Sequence, residues 1–116
     1  MEASFAGQIS RILCVGSEDG VCEQLAMKLE HLGYLIIPVS TFTGALSKIN
    51  AEKFDQYILA GNLPDGTCLN LCKLIRKTDS DTSIIFYSKY HSPAIVKKAL
   101  QMGANAYFNK IEDLGF

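Results

Sequence analysis

The sequence predicts an α/β fold in which one parallel β-sheet lies between two layers of helices. Short apolar runs alternate along the chain with longer segments of helical periodicity. The runs are almost continuously hydrophobic, as strands covered on both faces must be. The chain has 116 residues, of which 48% are hydrophobic and 20% charged, as expected for one globular domain. We therefore expect residues 1–116 to form a single domain.

The first half of the chain predicts two strands and two helices. The strands are the apolar runs at residues 12–15 and 35–39. Between them, apolar residues three and four apart predict a helix that ends at Gly33, and a second helix follows the second run. The inner faces of these helices are defined by Cys22, Leu25, Leu29 and Leu32 in the first, and by Phe42, Ala45, Leu46 and Ile49 in the second.

The second half continues the alternation. Apolar runs at residues 57–60, 84–87 and 106–108 predict three further strands, which two helices separate. The fourth helix is expected to end at Gly103. The inner helical faces are defined by Cys68, Leu71, Cys72 and Ile75 in the third helix, and by Val96, Ala99 and Leu100 in the fourth.

Pro38 predicts the place of the second strand in the sheet. Proline cannot donate to a strand ladder and is confined to edge strands, strand starts or bulges. With right-handed crossovers, an edge position fits the flavodoxin-like three-layer sandwich with strand order 2-1-3-4-5. A site is then expected at the carboxyl ends of the strands, which carry Gly16, Ser17, Ala60, Gly61, Ser88 and Lys110.

Four segments, in order from Arg11 to Lys110, resemble the receiver domain of two-component response regulators. The most specific is Asn62-Leu63-Pro64-Asp65-Gly66, which leads into a helical sequence at residues 71–76. Residues 11–15, 84–88 and 103–110 resemble the first, fourth and fifth strands of the family. The resemblance implies a CheY-like fold and a role in phosphorelay signal transduction.

The resemblance also implies where a phosphoryl site would lie. Members of the family accept a phosphoryl group from a histidine kinase on an aspartate that ends the third strand. Mg²⁺ is held by that aspartate and by an acidic pair after the first strand. The matching positions here are Ala60 for the aspartate, and Gly16 and Ser17 for the pair. The chain is therefore similar to an atypical, or pseudo-receiver, domain with no catalytic residues, metal or other cofactor, and we expect no enzymatic activity.

What remains of a phosphate site by this resemblance is Ser88, Lys110 and Asn62. Ser88 matches the hydroxyl residue of the family, and Lys110 matches its lysine. Lys110 has three interpretations. It could form an ion pair with Glu18 or Asp19, donate hydrogen bonds to backbone carbonyls, or form an anion site with Ser88 and loop amides.

Three functions remain open from the sequence. The first is a receiver-like module that is not phosphorylated and acts by protein–protein contact. The second is a phosphorelay receiver phosphorylated at an unconventional residue, for which Asp65, in the loop that follows Ala60, is the candidate carboxylate. The third is a flavodoxin-type cofactor binder, although Glu18 and Asp19 would stand where a flavin phosphate needs donors.

Tyr107 matches the aromatic switch position of the family. With Tyr90, Lys97 and Gln101 it predicts an interaction surface on the fourth helix and fifth strand. Its partners would be signalling proteins, with a histidine kinase or an output domain among the candidates. An ordinary solvated face is the alternative.

Charge and hydropathy exclude other classes of partner. Eleven Lys and Arg against 12 Asp and Glu give a net charge of −1, so no excess positive charge is available for nucleic acid. The apolar runs are far shorter than the roughly 20 residues of a membrane span, and the first ten residues do not resemble a signal peptide. We expect a cytoplasmic protein whose four cysteines are thiols.

The two ends of the chain depart from the resemblance. Residues 1–10 are interpreted as an N-terminal arm and residues 111–116 as a truncated end, without the family's fifth helix. Loss of that helix predicts an exposed apolar patch, which soluble monomers rarely show. A longer parent chain, a second copy in a dimer or the arm could cover it, and the sequence does not choose among them.

Overall fold

The computed structural model describes residues 10–16, 20–89, 92–110 and 113. Strands and helices alternate as the sequence predicts. The strands are β1 (Ser10–Gly16), β2 (Tyr34–Val39), β3 (Gln56–Ala60), β4 (Asn62–Leu63), β5 (Gly66–Thr67), β6 (Ser83–Tyr87) and β7 (Ala106–Phe108). The helices are α1 (Val21–Leu29), α2 (Phe42–Ala51), α3 (Cys68–Thr78) and α4 (Pro93–Gln101).

Five of the strands form one parallel sheet in the order β2-β1-β3-β6-β7. This is the predicted order 2-1-3-4-5, because β4 and β5 form a separate antiparallel hairpin in the segment that follows β3. Pro38 is exposed on β2 and is the register partner of Cys14. The flavodoxin-like fold and the edge position of the second strand are confirmed.

Hydrogen-bonding side chains fix where three of the helices begin. Thr41, Thr67 and Ser92 precede α2, α3 and α4, and the hydroxyl oxygen of each accepts a hydrogen bond from a backbone N–H of the first turn. In contrast, α1 follows Gly20, which has a φ of +66° and offers no side-chain cap. Among the four described helices, α1 is therefore the one whose N-cap residue makes no side-chain hydrogen bond.

The core lies on both faces of the sheet. Along β1, Leu13 and Val15 point towards α2, α3 and α4, whereas Ile12 and Cys14 point towards α1. Each of these four side chains is at most 1% exposed. No helix in the described part of the chain is long and apolar enough to cross a membrane.

Two apolar residues assigned to inner helical faces are exposed, so their predicted placement was wrong. Leu32 lies after α1 in the 3₁₀ turn Glu30–Leu32 and is 55% exposed. The tighter 3₁₀ geometry rotates it away from the apolar stripe of α1. Leu100 lies at the end of α4 and is 46% exposed.

The exposed apolar patch stays a prediction, because most of the residues at the two ends of the chain lie outside the described ranges. Among the described residues of the central strands, Ile58, Ile85 and Tyr87 are 0%, 7% and 5% exposed and belong to the same cluster as α1, with Tyr34 and Phe108 packed against it. Most of the expected arm, and the expected truncated end except for residue 113, lie outside the described residues.

Candidate functional site

Three strands end side by side at the carboxyl edge of the sheet. Gly16 ends β1 and is the register partner of Ala60, which ends β3. Ala60 in turn pairs with Tyr87 at the end of β6 and is completely buried. The parallel register thus brings Gly16 and Ala60 together, as the sequence predicts, while Ser17 lies outside the described residues.

Backbone crowding at Gly16 leaves no room for a side chain. Its φ is +152°, and a Cβ atom at this position would lie 1.8 Å from the carbonyl oxygen of Ala60 and 2.8 Å from its carbonyl carbon. Both atoms belong to the backbone and cannot rotate away. A carboxylate at position 16 would therefore require the ends of β1 and β3 to move apart.

The described residues do not fit the magnesium ion that the resemblance implies. Gly16 and Ala60 offer only backbone carbonyl groups, whereas Mg²⁺ is usually held by one or two carboxylates. No cluster of three His, Cys, Asp or Glu side chains able to hold a metal occurs within residues 10–16, 20–89, 92–110 and 113.

Asp65 is bound to the amino end of α2. Its Oδ1 accepts a hydrogen bond from the Phe42 N–H at 2.6 Å, and its Oδ2 accepts from the Thr43 N–H at 3.1 Å and the Thr43 hydroxyl at 2.6 Å. The Thr43 hydroxyl, with these backbone donors, lowers the pKa of the Asp65 carboxyl to about 2. This capping role was not predicted, because Asp65 and α2 are more than twenty residues apart.

Ser88 and Asn62 lie at the same edge of the sheet, and Lys110 is exposed after β7. The Ser88 N–H donates to the Phe108 carbonyl at 3.1 Å, and Asn62 pairs with Thr67 across the β4–β5 hairpin. No carboxylate among the described residues lies within ion-pair distance of Lys110. Its predicted partners, Glu18 and Asp19, fall outside the described residues.

A cleft of about 310 Å³ opens beside this edge, between the hairpin, the start of α3, the end of β6 and α4. Its volume is at the lower end of the range for small-ligand pockets. No described carboxylate and no described lysine lines it, so Ser88 and Asn62 share the cleft without Lys110. Its walls are formed by Gly61, Asn62, Thr67, Cys68, Leu69, Phe86, Tyr87, Ser88, Ile95 and Tyr107.

Tyr107 lies at one wall of the cleft, where its ring stacks on that of Phe86 with centroids 5.9 Å apart and an interplanar angle of 15°. The adjacent helix α4 exposes Ile95 and Leu100, which are 45% and 46% exposed. Lys97 and Gln101 are exposed on the same helix, and Tyr90 lies outside the described residues. Three residues of the predicted interaction surface, Lys97, Gln101 and Tyr107, therefore lie on α4 and β7.

Arg76, which the sequence did not single out, ties α3 to the turn before β7. Its Nε donates to the Gly103 carbonyl at 2.9 Å, its Nη1 to the Asp79 carbonyl at 3.0 Å and its Nη2 to Asn105 Oδ1 at 2.9 Å. Asn105 Oδ1 also accepts from the Ile84 N–H at 2.8 Å. This network fixes the turn that carries the chain from α4 to Tyr107.

Comparison with known proteins agrees with this architecture. Residues 12–115 match the family model described as the response regulator receiver domain. Transcriptional regulatory protein CrdR of Helicobacter pylori is 31% identical over 87 residues, which are 74% of this chain and 41% of that protein. Alkaline phosphatase synthesis transcriptional regulatory protein PhoP of Bacillus subtilis is 29% identical over 100 residues, 86% of this chain and 42% of that protein. The chain spans less than half the length of these curated relatives.

Solved structures show the same fold. A two-component response regulator from Clostridium difficile superposes with a TM-score of 0.81 at 27% identity, over 88% of this chain and 84% of that chain. A CheY-like receiver domain protein from Methanospirillum hungatei also has a TM-score of 0.81 at 27% identity, over 89% and 82%. The strand order of the sheet agrees with the family match over residues 12–115. This chain therefore belongs to the response regulator receiver domain family.

Proposed function

We propose that this domain is a receiver that signals without being phosphorylated and acts through protein contacts. The observation that carries the proposal is the contact between the ends of β1 and β3. Ala60 supplies no side-chain oxygen there, and Gly16 has no space for a Cβ atom. Phosphoryl transfer needs an oxygen nucleophile in line and a hard cation on oxygen ligands. Neither position can supply its part of that chemistry.

The geometry of Asp65 counts against an unconventional acceptor at that residue. Both of its carboxylate oxygens accept hydrogen bonds from the first turn of α2. To attack a phosphoryl group, Asp65 would have to leave these donors and uncap the helix. Membership of the receiver family favours a signalling role over a flavodoxin-type cofactor binder.

The proposed partner surface consists of Ile95, Lys97, Leu100, Gln101 and Tyr107, and we call it the α4–β7 surface. It combines exposed apolar side chains with a basic helix, because α4 contains Lys97 and Lys98 and no carboxylate. Exposed apolar and aromatic groups next to fixed charge are typical of protein interfaces. The partner that fits this surface presents an apolar side chain surrounded by carboxylates.

The absence of phosphorylation is tested by intact-mass measurement after incubation with Mg²⁺ and acetyl phosphate. The expected result is an unchanged mass under conditions in which a receiver domain that retains its acceptor aspartate gains one phosphoryl group. Any stoichiometric gain would overturn the proposal. The Asp65→Asn variant would then show whether Asp65 is the acceptor.

The α4–β7 surface is tested by site-specific photo-crosslinking in cells. A photoreactive residue replaces Lys97 in one variant and Met27, which is 80% exposed on α1, in the matched control. We expect a defined cross-linked product from position 97 that Lys98→Glu weakens. Equal products from both positions, or a product from position 27 alone, would contradict the proposed surface.

A further inference from the structure

Cys14 and Cys22 lie against each other in the core between β1 and α1. Their Sγ atoms are 2.6 Å apart, which is closer than an ordinary non-bonded contact between two sulfur atoms. The Sγ of Cys22 is also 3.2 Å from the carbonyl oxygen of Cys14. Both residues are free thiols. The packing of α1 on β1 therefore holds two thiols together at one point of the core.

We propose that Cys14 and Cys22 form a reversible disulfide, which makes the junction of β1 and α1 a site of oxidation by a small uncharged peroxide. One thiol sulfur attacks a peroxide oxygen and becomes a sulfenic acid, while the other oxygen leaves as water when hydrogen peroxide is the oxidant. The second thiol then attacks the sulfenic sulfur, the S–S bond forms and a second water leaves. Overall, two thiols lose two electrons and two protons, and one hydrogen peroxide is reduced to two waters.

The start of α1 supplies the route by which an oxidant reaches the pair. With the first turn of α1 in place, Cys14 is 0% exposed and Cys22 is 4% exposed. The hydrogen bond with Cys22, together with burial, raises the pKa of the Cys14 thiol well above its ordinary value, so the closed pair reacts slowly. Cys22 lies in the first turn of α1, which begins at Gly20 without a side-chain cap. Because uncapped helix ends open locally, fraying of this turn would expose Cys22 first.

The other two cysteines provide an internal comparison. Cys68 and Cys72 lie on α3 and pack in the cluster on the opposite face of the sheet. The Sγ of Cys72 lies 3.5 Å from the carbonyl oxygen of Met102. Because the sheet separates Cys68 and Cys72 from Cys22, they serve as an internal control for selective oxidation of the Cys14–Cys22 pair.

The cross-link would act next to the edge where the family has its phosphoryl site. The Sγ of Cys22 lies 4.0 Å from the carbonyl oxygen of Gly16, which ends β1 beside Ala60. A bond between Cys14 and Cys22 closes the connection between β1 and α1 into a short covalent loop. The disulfide would thus restrain the end of β1 independently of phosphorylation.

The test uses the full chain, first reduced and then treated with hydrogen peroxide in native buffer. Wild type and Cys68→Ser/Cys72→Ser are expected to lose the mass of two hydrogen atoms, with peptides containing residues 14 and 22 linked, and to regain it with dithiothreitol. Cys14→Ala/Cys22→Ala is expected to show no such loss, and the single variant Cys22→Ser serves the same purpose if the double variant does not fold. Hydrogen exchange in the first turn of α1 should slow in the oxidised protein.

Three results would overturn the proposal. The first is a disulfide in wild type that involves Cys68 or Cys72. The second is a gain of oxygen without any loss of hydrogen in Cys68→Ser/Cys72→Ser. The third is a cross-link that forms only at urea concentrations that unfold the whole domain, because the route through the first turn of α1 requires only local opening.

Discussion

Gly16→Ala is expected to destabilise the domain strongly, because the new Cβ atom would lie 1.8 Å from the Ala60 carbonyl oxygen. Two costs add at this position. The φ of +152° is one that L side chains rarely adopt, and such strain costs about 1–3 kcal/mol. Relief of the overlap requires the two strand ends to shift, and overpacking of this kind costs about 1–3 kcal/mol. The expected total is about 2–6 kcal/mol.

A loss of this size is large for a domain whose whole stability is about 5–15 kcal/mol. At about 4 °C per kcal/mol for a domain of this size, it corresponds to a fall in melting temperature of about 8–24 °C. The loss of stability is measured by urea and thermal unfolding. Both are followed by far-ultraviolet circular dichroism, because the chain has no tryptophan to serve as a fluorescence probe.

Gly33→Ala is the matched control. Gly33 has a φ of +93°, but nothing lies within 4 Å of the position its Cβ would take. Gly33→Ala is therefore expected to cost about 1–2 kcal/mol for its backbone conformation and nothing for steric overlap. Equal destabilisation by the two substitutions would refute the crowding argument and show that position 16 can accept a side chain.

Three further predictions concern Asp65, Arg76 and Ala60. Wild type should lose stability relative to Asp65→Asn as the pH falls from about 4 to 2, because a carboxyl whose pKa is lowered from 3.8 to about 2 stabilises the fold only while ionised. Identical pH dependence of the urea midpoints would contradict this. Arg76→Met should cost about 1–3 kcal/mol, because three carbonyl or amide oxygens lose their donor. Lys73→Met, an exposed change on the same helix, should stay within about 0.5 kcal/mol, and equal effects in urea unfolding would show the Arg76 network to be unimportant. Ala60→Asp should be less stable than Ala60→Asn at neutral pH, since the position is completely buried, and the gap should narrow on acidification as the carboxyl becomes neutral. A gap that does not change with pH in thermal unfolding would argue against a buried charge as the cause.

The sheet could be predicted because its strands are covered on both faces and are therefore almost continuously apolar. Pro38 then indicated that the second strand lies at an edge of the sheet, since proline cannot donate a hydrogen bond to a strand ladder. The β4–β5 hairpin was not predicted, because strands of two residues carry no periodicity. Leu32 was misplaced for a related reason. Its spacing continues the stripe of α1, but the chain changes to a 3₁₀ turn one residue after Leu29.

The residues at the strand ends could be named from the sequence, but their contacts could not. The resemblance alone identifies Ala60 and Gly16 as residues of the site. The close approach of their backbones, in contrast, depends on the register of β1 and β3 and on the φ of Gly16. Asp65 and Arg76 bond to partners 22 to 29 residues away, in addition to the local bond of Arg76 to Asp79. Pairings at such separations are set by tertiary packing and leave no local pattern.

The central claim is that the carboxyl edge of this receiver no longer supports phosphoryl chemistry. A ¹H–¹⁵N NMR titration with Mg²⁺ and then beryllofluoride, a phosphoryl mimic, tests it most directly through the amides of Gly16, Gly61, Ser88 and Lys110. No saturable shift at these amides is expected after both additions. Saturable shifts that require Mg²⁺ and beryllofluoride together would show a working acceptor site despite Ala60, and would contradict the account.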